Sequence, residues 1–152
     1  MNYIGLNKYD TANGEGIRVS LFVSGCTLKC KGCFNEESWD FNAGKQFTIE
    51  TLNEILKELG KDYISGLSIL GGDPFESEHF NCIYNLVKTV KREYPNKTIW
   101  MWTGRLYEKI KDNRIFDYVD VLVDGPFIEK LKNPELQYRG SSNQRIINFK
   151  KT

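Results

Sequence analysis

At 152 residues the chain is long enough for one domain with a real core and too short for two comfortable ones. Its 40% hydrophobic and 27% charged residues are ordinary for a globular protein and set disorder aside. With 21 basic and 20 acidic residues, no net field draws the chain to nucleic acid or to an anionic membrane. Neither a secretion signal at the amino terminus nor an apolar run of bilayer length is present, so a soluble, cytoplasmic protein is expected. In a reducing cytosol, clustered cysteines point to metal binding or catalysis before disulfides.

Residues 11–16 have a loop composition and deliver the chain into a strand at 18–24. Gly14-x-Gly16 precedes that strand instead of following it, which rejects a dinucleotide fingerprint. Three cysteines come next, Cys26, Cys30 and Cys33, spaced C-x3-C-x2-C in a loop hung on the strand end. After Phe34 and Trp39 the loop closes near Gly44, and Thr48 caps a helix over 49–59 with Leu52, Ile55 and Leu59 on one face. A short apolar strand at 66–70 runs into Gly71-Gly72-Asp73-Pro74, and Ser77 opens a second helix that ends before Pro95. A third strand at 98–102 stops at Thr103-Gly104 and is followed by a short helix over 105–111. The fourth strand, 119–123, ends in Asp124-Gly125-Pro126, and 144–149 supply a last strand.

Strands alternating with helices predict an α/β fold with a mostly parallel sheet, in a single domain over 1–152. Ligands of such sheets sit at the carboxyl ends of the strands. The cysteine loop, Gly71 to Pro74, Thr103-Gly104 and Asp124-Gly125 should therefore share one rim. Four strands and a fifth fall short of a closed barrel, so a partial, open (β/α) barrel is expected.

Three thiolates leave a metal one ligand short. A structural zinc wants four ligands, and the only histidine, His79, is expected on an exposed face beside Glu76 and Glu78. A catalytic zinc with three cysteines and a water stays open as an alternative. A 4Fe-4S cluster uses the deficit better, because its fourth iron stays free for a small molecule. Gly71 and Gly72 put bare backbone beside such a centre, although for that loop taken alone an ordinary strand-to-helix turn with Pro74 at the first helical position is the better reading. Cys82, far from the others, reads as a buried structural thiol.

Gly14-x-Gly16-x-Arg18-x3-Phe22-x2-Gly25-Cys26-x3-Cys30-x2-Cys33 resembles the signature of radical S-adenosylmethionine enzymes that install a glycyl radical on a partner. The likeness extends over nearly the whole chain. Within that group, Cys30-Lys31-Gly32-Cys33-Phe34-Asn35, Trp102-Thr103-Gly104, Val121-Leu122-Val123-Asp124-Gly125-Pro126-Phe127 and Arg139-Gly140-Ser141-Ser142-Asn143-Gln144-Arg145 resemble the members that activate an anaerobic ribonucleoside-triphosphate reductase. Gly32 stands where the wider superfamily carries an aromatic residue, a mark of this subgroup.

The resemblance implies that Cys26, Cys30 and Cys33 hold a 4Fe-4S cluster whose open iron chelates the amino and carboxylate groups of S-adenosylmethionine. It further implies that Gly71, Gly72 and Asp73 bind the methionine ammonium, through backbone carbonyls and the Asp73 carboxylate. Gly32, Cys33, Phe34, Thr103 and Asp124 complete the implied cofactor site. The implied partners are the glycyl-radical subunit of an anaerobic ribonucleotide reductase and an external one-electron donor such as a flavodoxin. No catalytic acid or base is required, in keeping with a single histidine. Trp100 and Trp102, two apart on one strand face, are candidates for substrate contact or for core packing. Arg139 and Arg145 are candidates for an anionic group or for plain surface charge. Two alternatives remain open: an activase or small-molecule enzyme of the same chemistry, and a zinc-stabilised binding module without catalysis.

Overall fold

A computed structural model describes residues 1–28, 30, 32 and 36–149. Two of the expected site residues, Cys33 and Phe34, lie outside the described residues. The elements are β1 (Asn2–Asp10), β2 (Ile17–Val23), β3 (Lys45–Gln46), α1 (Ile49–Leu59), β4 (Ile64–Gly71), α2 (Phe80–Glu93), β5 (Thr98–Trp102), α3 (Tyr107–Ile110), β6 (Val121–Asp124) and β7 (Arg145–Asn148). They build one open sheet in the order β3-β1-β2-β4-β5-β6-β7.

The centre, β2-β4-β5-β6, is parallel, as the alternation of strands and helices predicts. Its flanks are antiparallel: β1 pairs with β2 and β3 on one side, and β7 pairs with β6 on the other. β1 and β3 escape a sequence reading for a physical reason. β1 is only half-buried along most of its length, so it shows no apolar alternation, and β3 is two exposed residues.

One face of the sheet carries the main core. Val19, Leu21 and Val23 of β2, Leu67 and Ile69 of β4, Ile99 and Met101 of β5 and Leu122 of β6 pack against Leu52, Ile55 and Leu59 of α1 and Ile83, Leu86, Val87 and Val90 of α2. Each such side chain contributes about 1.5–3 kcal/mol by leaving water. α1 starts where Thr48 allows it, the Thr48 N–H donating to Thr51 Oγ1 at 3.1 Å. Among the described residues no helix is long and apolar enough to cross a membrane.

The opposite face is polar at one end and aromatic at the other. Arg18 of β2 is fully buried there and reaches across two neighbouring strands. Its Nε donates to Ser68 Oγ at 2.7 Å, its Nη1 to Thr98 Oγ1 at 2.9 Å, and its Nη2 to the carbonyls of Leu67 and Thr98 at 3.0 and 2.8 Å. Burial pulls the guanidinium down to about 10, still protonated at neutral pH. The cation lies 5.7 Å from the Trp100 ring centroid. Trp100 in turn stacks on Trp102 at 5.8 Å and meets the Tyr138 ring edge-on at 5.1 Å.

Candidate metal and cofactor site

The cysteine loop after β2 and the loop after β4 meet at two glycines, Gly25 and Gly72, where only bare backbone fits. Gly25 has φ of +106°, and a Cβ there would lie 2.3 Å from the Phe41 ring. A Cβ on Gly72 would lie 2.4 Å from the Gly25 carbonyl oxygen. With both side chains absent, the two loops bond directly: Gly72 N–H donates to Val23 O at 2.8 Å and Asp73 N–H to Gly25 O at 2.9 Å. On its other flank, Cys26 N–H donates to Trp39 O at 3.2 Å. The cysteine loop is therefore held in contact with the loop after β4.

Both loops open on a cavity of about 340 Å³. Cys26 and Cys30 line it together with Gly71, Gly72, Asp73 and Thr103. Cys26 is buried and Cys30 is half-buried. The wall across from β5 to β7 is made by Trp102, Phe127, Tyr138 and Arg139. Tyr138 holds φ of +64°, the only non-glycine positive φ among the described residues. That geometry lets its carbonyl accept the Trp102 indole N–H at 2.8 Å, a constrained backbone of the kind found at ligand-binding walls.

Asp73 is fully buried, and its carboxylate is already committed. It accepts from Phe75 N–H, Thr103 Oγ1–H and Gly104 N–H, each at 2.9 Å. Arg105 Nη1 stands 2.9 Å from Asp73 Oδ2, a close ion pair rather than an aligned hydrogen bond. The other end of the guanidinium, Nη2, donates to Glu76 Oε2 at 2.9 Å. Glu76, also buried, accepts the Thr27 N–H at 2.9 Å and the Thr27 hydroxyl at 3.0 Å. Three rim loops thus meet on one arginine. Burial pushes the Glu76 carboxyl up, but Thr27 and Arg105 outweigh it and hold it below its ordinary value of 4.5. Burial lowers the Arg105 guanidinium, and Asp73, Glu76 and the charge of Cys26 together raise it.

A family model described as a 4Fe-4S single cluster domain matches residues 12–147. The chain is 46% identical over 154 residues to the anaerobic ribonucleoside-triphosphate reductase-activating protein of Haemophilus influenzae, covering 99% of each chain. It is 44% identical over 146 residues to the protein so named in Enterobacteria phage T4, covering 96% of this chain and 93% of that one. It is 40% identical over 150 residues to that of Escherichia coli, covering 96% of this chain and 97% of the relative. The chain belongs to the anaerobic ribonucleoside-triphosphate reductase-activating protein family.

In this family member the expected site residues fall into two groups. Cys26, Cys30, Gly71, Gly72, Asp73 and Thr103 come together on the cavity. Gly32, exposed with φ of +73° and beside Glu129, and Asp124 are not among the residues lining it. Asp124 is fully buried, and its carboxylate accepts from Arg145 and from the Tyr107 N–H at 2.7 Å. Arg145 is spent on Asp124 and Glu108, whereas Arg139 lines the cavity with its Nη1 on Gln144 O at 3.0 Å.

The expectation of an exposed His79 is overturned: the imidazole is 2% exposed, packed 5.5 Å from the Phe41 ring. Burial holds its pKa below the ordinary 6.5, outweighing the Ser24 backbone and the Glu76 and Glu78 carboxylates, which raise it. The reason lies in phase. Ser77–His79 is a 3-10 turn ahead of α2, so extrapolating the helical face of α2 backwards misplaces His79. Sequence reasoning also passed over Glu76, Arg105 and Tyr138. For Arg105 a signal was available, a charged residue directly after a strand-ending Thr-Gly.

Proposed function

We propose that this protein activates an anaerobic ribonucleoside-triphosphate reductase as a radical S-adenosylmethionine enzyme, in one domain shaped as a partial, open (β/α) barrel. The observation that carries the reading is the convergence of Cys26 and Cys30 on the same cavity as the bare backbone of Gly71 and Gly72. The donor set fits the group: cysteine sulfurs of a partly buried loop line the cavity, and beside them lies glycine backbone that admits a small zwitterion. Cys26, Cys30 and Cys33 would hold the 4Fe-4S cluster.

When bound, the cluster would supply the one electron needed to cleave S-adenosylmethionine reductively to methionine, the cleavage being coupled to removal of a hydrogen atom from a glycine of the reductase. The chain's own residues bind, orient and exclude. The Gly71-Gly72-Asp73 backbone receives the methionine ammonium, while the Asp73 carboxylate is occupied in fixing Thr103, Gly104 and Arg105. Trp102, Phe127 and Tyr138 keep water from the reacting region, where a stray donor would quench a radical. Cys33 and Phe34 belong to the cofactor shell in this reading, whereas Asp124 serves the shell only from behind, by holding Arg145 and the Tyr107 N–H, and Gly32 lies outside the cavity. No proton transfer by a side chain is needed. A reducing cytoplasm and a one-electron donor such as a flavodoxin suit the chemistry.

The test is anaerobic. Protein reconstituted with iron and sulfide, reduced and mixed with S-adenosylmethionine and the cognate reductase, should give a glycine-centred paramagnetic signal on the reductase. A colourless protein holding one zinc, unable to take up iron and sulfide, would refute it. Competent S-adenosylmethionine cleavage without a signal on the reductase would assign the activity to another partner.

A further inference from the structure

We propose that Arg105 is a positioning residue for the metal centre, holding the cysteine loop against the loops after β4 and β5 by bridging Asp73 and Glu76. The proposal rests on the reading that Cys26, Cys30 and Cys33 hold a 4Fe-4S cluster. Its geometry is independent of that reading. The Asp73 and Glu76 side chains are 1% and 7% exposed, and the guanidinium spans them with one nitrogen on each, both at 2.9 Å. Two buried carboxylates this close to one cation repel each other without it. Glu76 in turn grips Thr27, which sits between Cys26 and Cys30, by both its backbone N–H and its hydroxyl. Asp73 grips Thr103 and Gly104 on the opposite side. A planar fork fits this role and a lysine does not, because a point charge cannot face two carboxylates in fixed directions.

Burial pushes the Asp73 carboxyl up and Arg105 opposes it; with both carboxylates ionised the cluster of Asp73, Glu76 and Arg105 carries a net charge of −1, and this makes position separable from general stability. Replacing Arg105 by Met leaves −2 beside the cysteine loop, and replacing Glu76 by Gln leaves zero. The reconstituted full chain is titrated to the midpoint potential of its cluster, and its affinity for S-adenosylmethionine is read from the cofactor-induced change in the cluster's paramagnetic spectrum. R105M should lower the potential and E76Q raise it. R105M should also weaken cofactor binding by about tenfold or more, the range seen when groups orienting metal ligands are lost. R105K should restore the potential but only part of the affinity.

Parental affinity in R105M overturns the proposal, as do potential shifts of the same sign in R105M and E76Q. If R105M does not hold iron, R105K and E76Q decide by the same measurements, and parental affinity in both overturns it. A parent chain that takes up no iron and sulfide is instead the failure of the assigned function, visible before any variant is made.

Discussion

Gly25 and Gly72 touch backbone to backbone, so closely that a Cβ on Gly72 would lie 2.4 Å from the Gly25 carbonyl oxygen. No rotation of a flexible side chain can relieve that contact, because both partners are main chain. Gly72→Ala should therefore push the cysteine loop away from the loop after β4. A cost of about 1–3 kcal/mol is expected from overpacking, measured as a lower denaturant midpoint. Iron uptake should fall with it, and a variant with parental stability and iron content would show that the two loops part freely.

Cys30→Ala should abolish iron-sulfur reconstitution, and Cys82→Ala should leave it intact. Cys30 opens on the cavity, whereas Cys82 is a half-buried thiol on α2 whose pKa burial pushes up, away from the thiolate that binds metal. Iron and sulfide analysis of both variants checks this. Equal loss in both would remove the basis for the ligand assignment.

Acid sensitivity should appear in two stages with opposite groups responsible. His79 is favoured neutral in the folded chain, so the unfolded chain binds more protons as pH falls through 6.5. Stability is then full above pH 6.5 and declines below it, and His79→Phe should flatten that decline. Glu76 is favoured ionised, so its contribution is present above 4.5 and is lost as pH falls through its lower folded pKa. Denaturant midpoints from pH 8 down through pH 3 for the parent and H79F separate the stages, and a parental slope in H79F near pH 6 would contradict the assignment.

Ile55→Ala should cost about 2–5 kcal/mol without touching the cavity. Ile55 is fully buried between α1 and the sheet, on the face opposite the site. Thermal unfolding should drop while the iron content of the folded fraction stays parental.

The central strands and the site loops were legible because each is an apolar run stopped by a breaker: Val23 before Gly25, Leu70 before Gly71-Gly72, Trp102 before Thr103-Gly104. The rule that ligands sit at strand carboxyl ends then placed Cys26, Cys30 and the glycine loop on one cavity. What stayed illegible depends on pairings distant in sequence. Asp124 looks free at a strand end until Arg145 arrives from β7, and Asp73 looks free until Arg105 does. The flanking strands β1 and β3 owe their place to ladder bonds with β2 and with each other, and backbone bonds leave no mark in side-chain pattern.

Arg18 gives the cavity side of the sheet a property that loops cannot supply. By riveting β2, β4 and β5 together through Ser68, Leu67 and Thr98, it removes the freedom of those strands to slide or splay when something enters above them. Guests of different size must then be accommodated by the rim alone, and a change of specificity would have to be written in the loops after β4, β5 and β6 while the floor keeps its shape.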